Sequence, residues 1–289
     1  MIDARPRRSA LYMPASNARA VEKARDLPCD VVILDLEDAV APDAKVEARA
    51  LAAAAVQAGG FGSREVVIRI NGLDTLWGAE DLAAAARAAP DAILVPKVSS
   101  AADVAACDGA LVGKTRLWAM IETCAAVFAL DAIAATAATT RLGAWVIGTN
   151  DLAKEMRCRP GVDRAPLLGP LSLAVAAARG QGLAILDGVF NEIQDEAGFE
   201  RQCAQGLAFG FDGKTLIHPK QVEPANRAFS PAPDEVAWAR AVVEAFDLPE
   251  NSAKGVLRLD GRMVERLHLA EAQRLLAIAA AIAAHGAQG

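Results

Sequence analysis

The sequence predicts an α/β fold, a (β/α)8 TIM barrel followed by a C-terminal helical lid or arm. Eight short aliphatic or β-branched runs predict eight strands, and Ala-rich segments with helical periodicity separate them. A chain of 289 residues also suits a single barrel. A doubly wound sheet is the rival fold, but no strand-to-helix turn resembles its G-x-G-x-x-G phosphate-binding turn. The barrel is therefore the expected architecture.

Each predicted strand is a run of apolar residues, and the eight runs follow one another at near-regular intervals. They are SALYMPA (9–15), DVVILDLED (30–38), EVVIRING (65–72), AILVPKV (92–98), LWAMIET (117–123), AWVIGTND (144–151), LAILDGVF (183–190) and GKTLIHP (213–219). Between them, segments such as AEDLAAAARAA and CAAVFALDAIAATAA predict one helix per strand.

A Pro-rich segment, SPAP, marks the predicted domain boundary after the last barrel unit. Residues 1–230 are predicted to form the catalytic barrel, and residues 231–289 a helical lid that packs on a neighbouring subunit. The lid should contain a helix over about 233–246, the polar link DLPENSAKG, and an amphipathic helix from about 262.

Composition and charge exclude several classes of protein. A formal net charge of −6 and a pI of about 5.2 argue against a nucleic-acid partner. The five cysteines form no C-x-x-C pair, which predicts a reduced compartment without disulfides or a zinc site. The N-terminus lacks an apolar signal segment, and the longest late apolar run, LLAIAAAIAA, is too short to span a bilayer. We therefore expect a cytoplasmic protein without nucleic-acid or membrane partners.

Polar residues follow five of the predicted strands where the apolar run ends. They are Glu37 and Asp38 after the second strand, Arg69 and Asn71 after the third, Lys97 after the fourth, Glu122 after the fifth and Asp151 after the sixth. Catalytic groups of a TIM barrel lie at the carboxyl ends of the strands, so we expect these side chains to converge on one mouth. Asp38 and Asp151 could instead cap the helices that follow them. Carboxylates without a nearby histidine suit Mg²⁺ rather than zinc.

Eight motifs carry a resemblance to a known family. They are RSALYMPASN, DVVILDLEDAVAPDAK, VIRING, ILVPKV, AMIET, VIGTNDLAKE, LDGVF and FGFDGKTLIHPKQV. Over about residues 7–228 the sequence resembles the citrate lyase β-subunit-like family, the CoA-ester lyase branch of the HpcH/HpaI aldolase superfamily. The resemblance implies a homotrimeric TIM barrel that binds Mg²⁺ and cleaves or forms a C–C bond in a β-hydroxyacyl-CoA, such as a malyl, citramalyl or citryl thioester.

The resemblance also implies roles for individual residues. The glutamate of I-E-T and the aspartate of G-x-x-D-L bind the metal in this family, which implies Glu122 and Asp151 as ligands of Mg²⁺. The arginine of R-[IV]-N, here Arg69, contacts the substrate and faces the developing enolate. A structural ion pair to Glu37 or Asp38 is the alternative for this arginine.

Further residues are predicted to bind substrate or to support the site. Asn71 and Glu122 are predicted to contact the substrate together with Arg69. Glu37, Asp38 and Lys97 are predicted to hold metal-bound water or Arg69, with a structural role as the alternative.

The phosphates of coenzyme A require basic residues at the rim. Arg8 and Lys23 are the candidates that the resemblance favours. Lys45 and Arg49 are second-choice candidates for phosphate binding, although the default explanation for both is a solvated helix face. His218, in IHPKQ, fits a buried, hydrogen-bonded turn histidine better than an acid or base.

The chemistry of retro-Claisen cleavage requires a metal ion and a cation, as the resemblance implies. A Lewis acid at the β-hydroxyl and a cation near the thioester oxygen lower the barrier where charge develops, and Mg²⁺ and Arg69 supply these charges. Lys97 offers a rival mechanism, because a strand-end lysine can form a Schiff base with a ketone if burial lowers its pKa.

The sequence departs from the family pattern at three places. PASN replaces P-G-x-N, KVSS lacks the glutamate of K-V-E, and DGRMVERLHLAEAQ places Glu265 where the lid usually carries an aspartate. In the family that aspartate reaches a neighbouring subunit and protonates the enolate, so Glu265 is predicted as a catalytic acid. The same apparatus could instead hydrolyse a β-hydroxyacyl-CoA thioester, or the chain could be the β-subunit of a larger lyase that acts on an acyl-carrier thioester.

Overall fold

The computed structural model describes residues 5–111, 113–251 and 253–286. Within them the chain forms two compact units. The first unit is Arg7–Phe229, and the second comprises Arg5, Pro6 and the described residues from Ser230 onward.

The first unit is a closed barrel of eight parallel strands, and each predicted run contributes one strand. The strands are β1 (Ser9–Pro14), β2 (Val31–Asp35), β3 (Glu65–Arg69), β4 (Ala92–Val95), β5 (Arg116–Ile121), β6 (Leu142–Ile147), β7 (Ala184–Asp187) and β8 (Gly213–Leu216). Each strand pairs with the next, and β1 pairs with β8, which closes the barrel. The predicted TIM-barrel fold is therefore confirmed.

Helices follow every strand of the barrel. They are α1 (Ala18–Ala24), α2 (Lys45–Ala58), α3 (Gly78–Ala88), α4 (Ala101–Ala110), α5 (Cys124–Phe128), α6 (Leu130–Ala135), α7 (Thr149–Glu155), α8 (Leu168–Gly180), α9 (Glu196–Phe209) and α10 (Val222–Ala228). Their ends carry ordinary capping chemistry. Thr123 caps α5 by accepting a hydrogen bond from the backbone of Ala126, and Ser100 and Asp103 form a capping box at α4.

The strands are apolar on both faces because both faces are buried. In β2, for example, Val31 and Ile33 lie inside the barrel, whereas Val32 and Leu34 pack in the layer between strands and helices. This alternation gives the unit two cores, and it fixes which residue of each strand points inward.

The second unit contains two helices and a β-hairpin. Its elements are α11 (Pro233–Asp247), β9 (Val256–Leu259), β10 (Arg262–Glu265) and α12 (Arg266–Gly286). The predicted first helix is present, but residues 256–265 form a hairpin, and the last helix begins at Arg266 rather than near 262. The turn of this hairpin is Asp260–Gly261, in which both residues have positive φ, as a two-residue hairpin turn requires. The D-G pair was the sequence signal for it.

Helix α12 is longer than the run LLAIAAAIAA suggested. By length and composition alone, Arg266–Ala284 qualifies as a candidate membrane span, with a mean hydropathy of 1.3. One such helix is weak evidence for a membrane span. Within its unit, Ala272 of α12 packs in a small core with Val242 and Phe246 of α11 and with Leu257 and Val264 of the hairpin.

Candidate active site

A cavity of about 260 Å³ lies at the carboxyl ends of the barrel strands. Its lining includes Tyr12, Asp35, Asp38, Arg69, Met120, Glu122, Gly148, Thr149, Asn150, Asp151, Val189, Asn191, Thr215 and Ile217. Four residues predicted from the sequence are thus brought together: Asp38, Arg69, Glu122 and Asp151. The resulting site is rich in carboxylates and contains one arginine.

Strand alternation explains why charged side chains reach this cavity. Trp118 and Met120 of β5 point into the barrel, and Glu122 is the next residue of the same inward row. Likewise Asp35 follows the inward-facing Ile33 of β2, and Arg69 follows Val67 of β3. The apolar residues fill the barrel, and the charged residues cover the upper end of that core.

Arg69 is held by Asp35, in addition to the contacts with Glu37 and Asp38 that the sequence suggested. Its Nε and Nη2 atoms each donate to one oxygen of the Asp35 carboxylate at 2.6 Å. The guanidinium also lies over the ring of Tyr12, with 4.6 Å between Cζ and the ring centroid. Burial alone would lower the pKa of Arg69, but Asp35 outweighs it and raises the pKa well above the ordinary value. Arg69 is therefore a fixed, permanent cation.

Glu37 lies between Arg69 and Lys97. Its Oε2 is 2.8 Å from Arg69 Nη1, and its Oε1 accepts a hydrogen bond from Lys97 Nζ at 2.8 Å. The contact with Arg69 lacks the geometry of a hydrogen bond, so Oε2 is a buried oxygen with no hydrogen-bond partner among the described residues. Burial raises the pKa of Glu37 although both cations oppose the shift. Asp38 lies 3.5 Å from Arg69 with an exposed side chain. The supporting roles of Glu37, Asp38 and Lys97 stay predictions.

The environment of Lys97 does not favour a Schiff base. Burial lowers its pKa, but the hydrogen bond and the charge of Glu37 outweigh burial and leave the pKa raised. An imine-forming lysine needs the opposite shift. The backbone of Lys97, at φ +56°, instead donates its N–H to Glu122 Oε1 at 2.8 Å and orients that carboxylate.

Glu122 is nearly inaccessible to solvent, with an exposure of 1%. Burial raises its pKa to about 7, and the charges of Glu37 and Asp151 add to the shift. Gly148, at the carboxyl end of β6, leaves the room that this carboxylate occupies, because a Cβ atom there would collide with Glu122. Asp151 follows in the first turn of α7, and its side chain has no hydrogen-bond partner among the described residues.

These residues fit a divalent cation that takes few protein ligands. Glu122 and Asp151 are the two predicted ligands, and the unpartnered Oε2 of Glu37 is a further oxygen able to hold a metal-bound water. No group of three or more His, Cys, Asp or Glu side chains in the described ranges is arranged to bind a metal. The described residues therefore form no closed site of the kind that zinc takes. A Mg²⁺ site needs fewer protein ligands, because Mg²⁺ commonly keeps several waters.

Asn71 does not contact the cavity, contrary to the prediction that it binds substrate. It is 2% exposed, and its side chain donates to Asp81 Oδ2 at 2.6 Å and to the Leu36 carbonyl at 2.9 Å. Its Oδ1 accepts a hydrogen bond from Lys45. Asn71 therefore supports the segment after β2, because both of its N–H donors and its Oδ1 are engaged within the protein.

Lys45 and Arg49 belong to the same buried network. Lys45 Nζ donates to the carbonyls of Leu36 and Glu37 and to Asn71 Oδ1, at 2.7 to 3.0 Å. Arg49 donates to Asp81 Oδ1 at 2.6 Å. Neither side chain is a solvated cation available to phosphate. This network fixes the loop that carries Glu37.

Arg8 was predicted to bind coenzyme A phosphate, and this is wrong. Arg8 precedes β1, so it lies at the amino ends of the strands, opposite the cavity. Its guanidinium donates twice to Asp30, just before β2, at 2.8 Å. Lys23 is exposed in the last turn of α1, and its role stays a prediction.

Two further predicted residues have local hydrogen bonds. His218 is a hydrogen-bonded turn residue, since its Nδ1 accepts from the backbone of Lys220. Glu265 ends β10 in the second unit, and its backbone N–H donates to His268 Nδ1 at 2.9 Å. The catalytic role of Glu265 stays a prediction.

A buried charged cluster behind β7 and β8 was missed by the sequence analysis. Asp187 accepts hydrogen bonds from Arg164 at 2.6 Å and from Lys214 at 2.8 Å. Burial would raise the pKa of Asp187, but the charges of Arg164 and Lys214 outweigh burial and lower it. The pKa of Lys214 is also lowered, in this case by burial. Thr215 in the cavity wall donates its hydroxyl to the Asp187 carbonyl at 3.0 Å. The cluster therefore supports this side of the cavity.

The family model for HpcH/HpaI aldolase/citrate lyase matches residues 8–219, which is nearly the whole barrel. The chain belongs to this family. A relative in Cereibacter sphaeroides, named (3S)-malyl-CoA thioesterase, is 50% identical over 281 residues and covers 97% of both chains. Citrate lyase subunit beta of Escherichia coli K12 is 34% identical over 272 residues, with 90% of this chain and 89% of that one covered.

Solved structures of the family agree with this assignment. CitE from Mycobacterium tuberculosis, in complex with magnesium, acetoacetate and coenzyme A, has a TM-score of 0.75 and 29% identity over 94% of this chain and 97% of that chain. RipC from Yersinia pestis has a TM-score of 0.69 and 30% identity, with 81% of this chain and 99% of that chain covered. The chain is thus an enzyme of the CoA-ester lyase and thioesterase family. The predicted lyase class itself stays a prediction, because the relatives at 50% identity are named thioesterases.

Proposed function

We propose that this chain hydrolyses the thioester of a small β-hydroxyacyl-CoA of the malyl type, with Mg²⁺ as its cofactor. The observation that carries the proposal is the 50% identity, over 97% of both chains, to relatives named (3S)-malyl-CoA thioesterase. The cavity supports it, because its volume of about 260 Å³ lies just below the usual range of ligand pockets and suits a short acyl group.

Glu122 and Asp151 would hold the metal. The charge of Asp151 contributes to the raised pKa of Glu122, so the two carboxylates lie close enough to interact and repel one another when both are ionised. Binding of a divalent cation by these two carboxylates would offset that repulsion. When bound, Mg²⁺ would supply Lewis-acid polarisation of the substrate oxygens.

The other charged groups of the cavity orient the acyl group. Arg69 offers a cation to an acyl oxygen, and the bidentate bond to Asp35 prevents its rotation. Glu37 lies between Arg69 and Lys97 and faces both cations, at 2.8 Å from each. Fixed charges of this kind lower a barrier because they need no reorganisation during the reaction.

Cleavage of a C–C bond in the same thioester is the second candidate. It is favoured by the relatives named citrate lyase subunit beta, at 34% identity over about nine-tenths of this chain. Both reactions place negative charge on the thioester carbonyl oxygen, so the same cavity could serve either. A role as the β-subunit of a larger lyase would require a partner protein.

The products formed from malyl-CoA distinguish these reactions. Hydrolysis adds water across the thioester and releases free coenzyme A thiol and malate. Retro-Claisen cleavage releases acetyl-CoA and glyoxylate, and no thiol appears. We expect the purified chain with Mg²⁺ to release thiol and malate in equal amounts, and EDTA to abolish the release. Acetyl-CoA and glyoxylate without thiol would establish the lyase, and turnover only after addition of a partner subunit would establish the third role.

A cytoplasmic homotrimer is also part of the proposal. The homotrimer is what the family resemblance implies, and five cysteines without a C-x-x-C pair support a reduced compartment. Light scattering of the purified chain should give a mass of three times 30.1 kDa.

A further inference from the structure

Tyr12 is the single tyrosine of the sequence, and it lies in the wall of the cavity. It is in β1, where it follows the inward-facing Ala10 by two residues and packs against the core inside the barrel. Its ring supports the guanidinium of Arg69, at 4.6 Å from Cζ to the centroid. Tyr12 thus places a phenol beside the one arginine of the cavity.

The hydroxyl of Tyr12 has no strong acceptor among the described residues. The hydroxyl oxygen lies 4.0 Å from Met120 Sδ, and a thioether sulfur is a weak acceptor. Tyrosine hydroxyls in buried surroundings usually find a full hydrogen-bond partner, since an unsatisfied polar group is costly. The O–H of Tyr12 is therefore available to a molecule that enters the cavity.

The surroundings keep this hydroxyl protonated. Burial raises the pKa of Tyr12 far above its ordinary value, and Asp35, Glu122 and Glu37 add to the shift, although the charge of Arg69 opposes it. The phenol can therefore donate a hydrogen bond at neutral pH, but it cannot act as a base.

Arg69 leaves room for such a donor. Asp35 occupies two of the five N–H groups that a guanidinium carries, and Nη1 faces Glu37 and Asp38. These carboxylates offset much of the positive charge that would otherwise act on a ligand. A neutral hydroxyl adds a directed hydrogen bond to the stabilisation that this partly offset cation provides.

We propose that Tyr12 is a catalytic residue whose hydroxyl donates a hydrogen bond to the carbonyl oxygen of the acyl-CoA thioester. The inference rests on the proposed action on a CoA thioester, but it holds for hydrolysis and for C–C cleavage alike. In hydrolysis the carbonyl oxygen becomes the oxyanion of a tetrahedral intermediate, and in cleavage it becomes the oxygen of an enolate. In both cases the donor keeps its proton and stabilises the charge.

The first test is Tyr12→Phe, which removes one oxygen and keeps the ring under Arg69. We expect kcat on malyl-CoA to fall by about 10²-fold, whereas KM, the melting temperature and Mg²⁺ affinity stay near the wild-type values. A structural role would instead lower the melting temperature or change KM. A kcat equal to that of the wild type would overturn the proposal.

The second test does not depend on turnover. Because the chain contains one tyrosine, 3-fluorotyrosine labelling places a single ¹⁹F probe at position 12. We expect acetyl-CoA, which carries the thioester carbonyl, to shift this resonance, and coenzyme A thiol to leave it unmoved. No shift at saturating acetyl-CoA, or equal shifts with both, would overturn the role of Tyr12. An inactive wild type with a selective ¹⁹F shift would instead refute the proposed reaction and retain Tyr12 as a thioester contact.

Discussion

Burial and the charges of Glu37 and Asp151 raise the pKa of Glu122 to about 7, and this has a measurable consequence for stability. In the unfolded chain the pKa of a glutamate is about 4.3. Between this pKa and that of the folded state, the native protein therefore binds more protons than the unfolded chain. The free energy of unfolding of the metal-free protein should therefore fall as the pH rises through this window, by up to roughly 3 kcal/mol.

This first prediction is checked by the melting temperature in EDTA from about pH 5 to pH 8. Glu122→Gln should remove most of the dependence, because the amide does not titrate. Mg²⁺ should raise the melting temperature of the wild type more at the higher pH, where Glu122 is ionised. An unchanged pH profile in the Gln variant would contradict the assignment of this titration to Glu122.

A second prediction at the residue scale concerns Arg69. Lysine keeps the positive charge but cannot form the two parallel bonds to Asp35, so Arg69→Lys should lose the fixed orientation. We expect turnover to fall by about 10²-fold or more, with Mg²⁺ affinity and folding retained. Arg227→Lys is the matched control, since Arg227 is exposed on α10 and pairs with Glu223. Equal turnover rates for both variants would show that the role of Arg69 is structural.

At the scale of the elements, the junction of β6 and α7 shapes the proposed metal site. Gly148 lies between β6 and α7, and the carboxylate of Glu122 occupies the space where a Cβ atom would be. Gly148→Ala should therefore displace Glu122 and weaken Mg²⁺ binding by at least about tenfold, as loss of a supporting group around a ligand does. Calorimetric titration with Mg²⁺ measures it. Gly169→Ala in α8, where an added Cβ meets open space, should leave the affinity unchanged.

At the scale of the whole molecule, the prediction is that Glu265 acts on the site of a neighbouring subunit in a homotrimer. Arg69→Ala and Glu265→Gln trimers should each be inactive alone. Dissociated and reassembled together, they should regain part of the activity, because some mixed trimers contain a site with both groups intact. Full activity of Glu265→Gln, or no recovery on mixing, would show that Glu265 is not the acid.

The sequence by itself determined the barrel and part of the site. Eight strands could be predicted because both faces of each strand are buried, so every strand is a continuous apolar run. The strand-end positions of Arg69, Glu122 and Asp151 followed from the same runs, because the carboxyl ends of barrel strands meet at one mouth. These features are local in the chain, and periodicity is a local signal.

The tertiary structure decided which side chains meet. Asp35 and Arg69 are register partners of β2 and β3, and only the pairing of these strands places the carboxylate against the guanidinium. Tyr12 reaches the same arginine from β1, because closure of the barrel brings both strands around one interior. Asn71 resembles a substrate contact in sequence, but its partner Asp81 lies on a helix ten residues later and draws it away from the cavity. Contacts of this kind depend on register and barrel closure, which are properties of the folded chain rather than of any single segment.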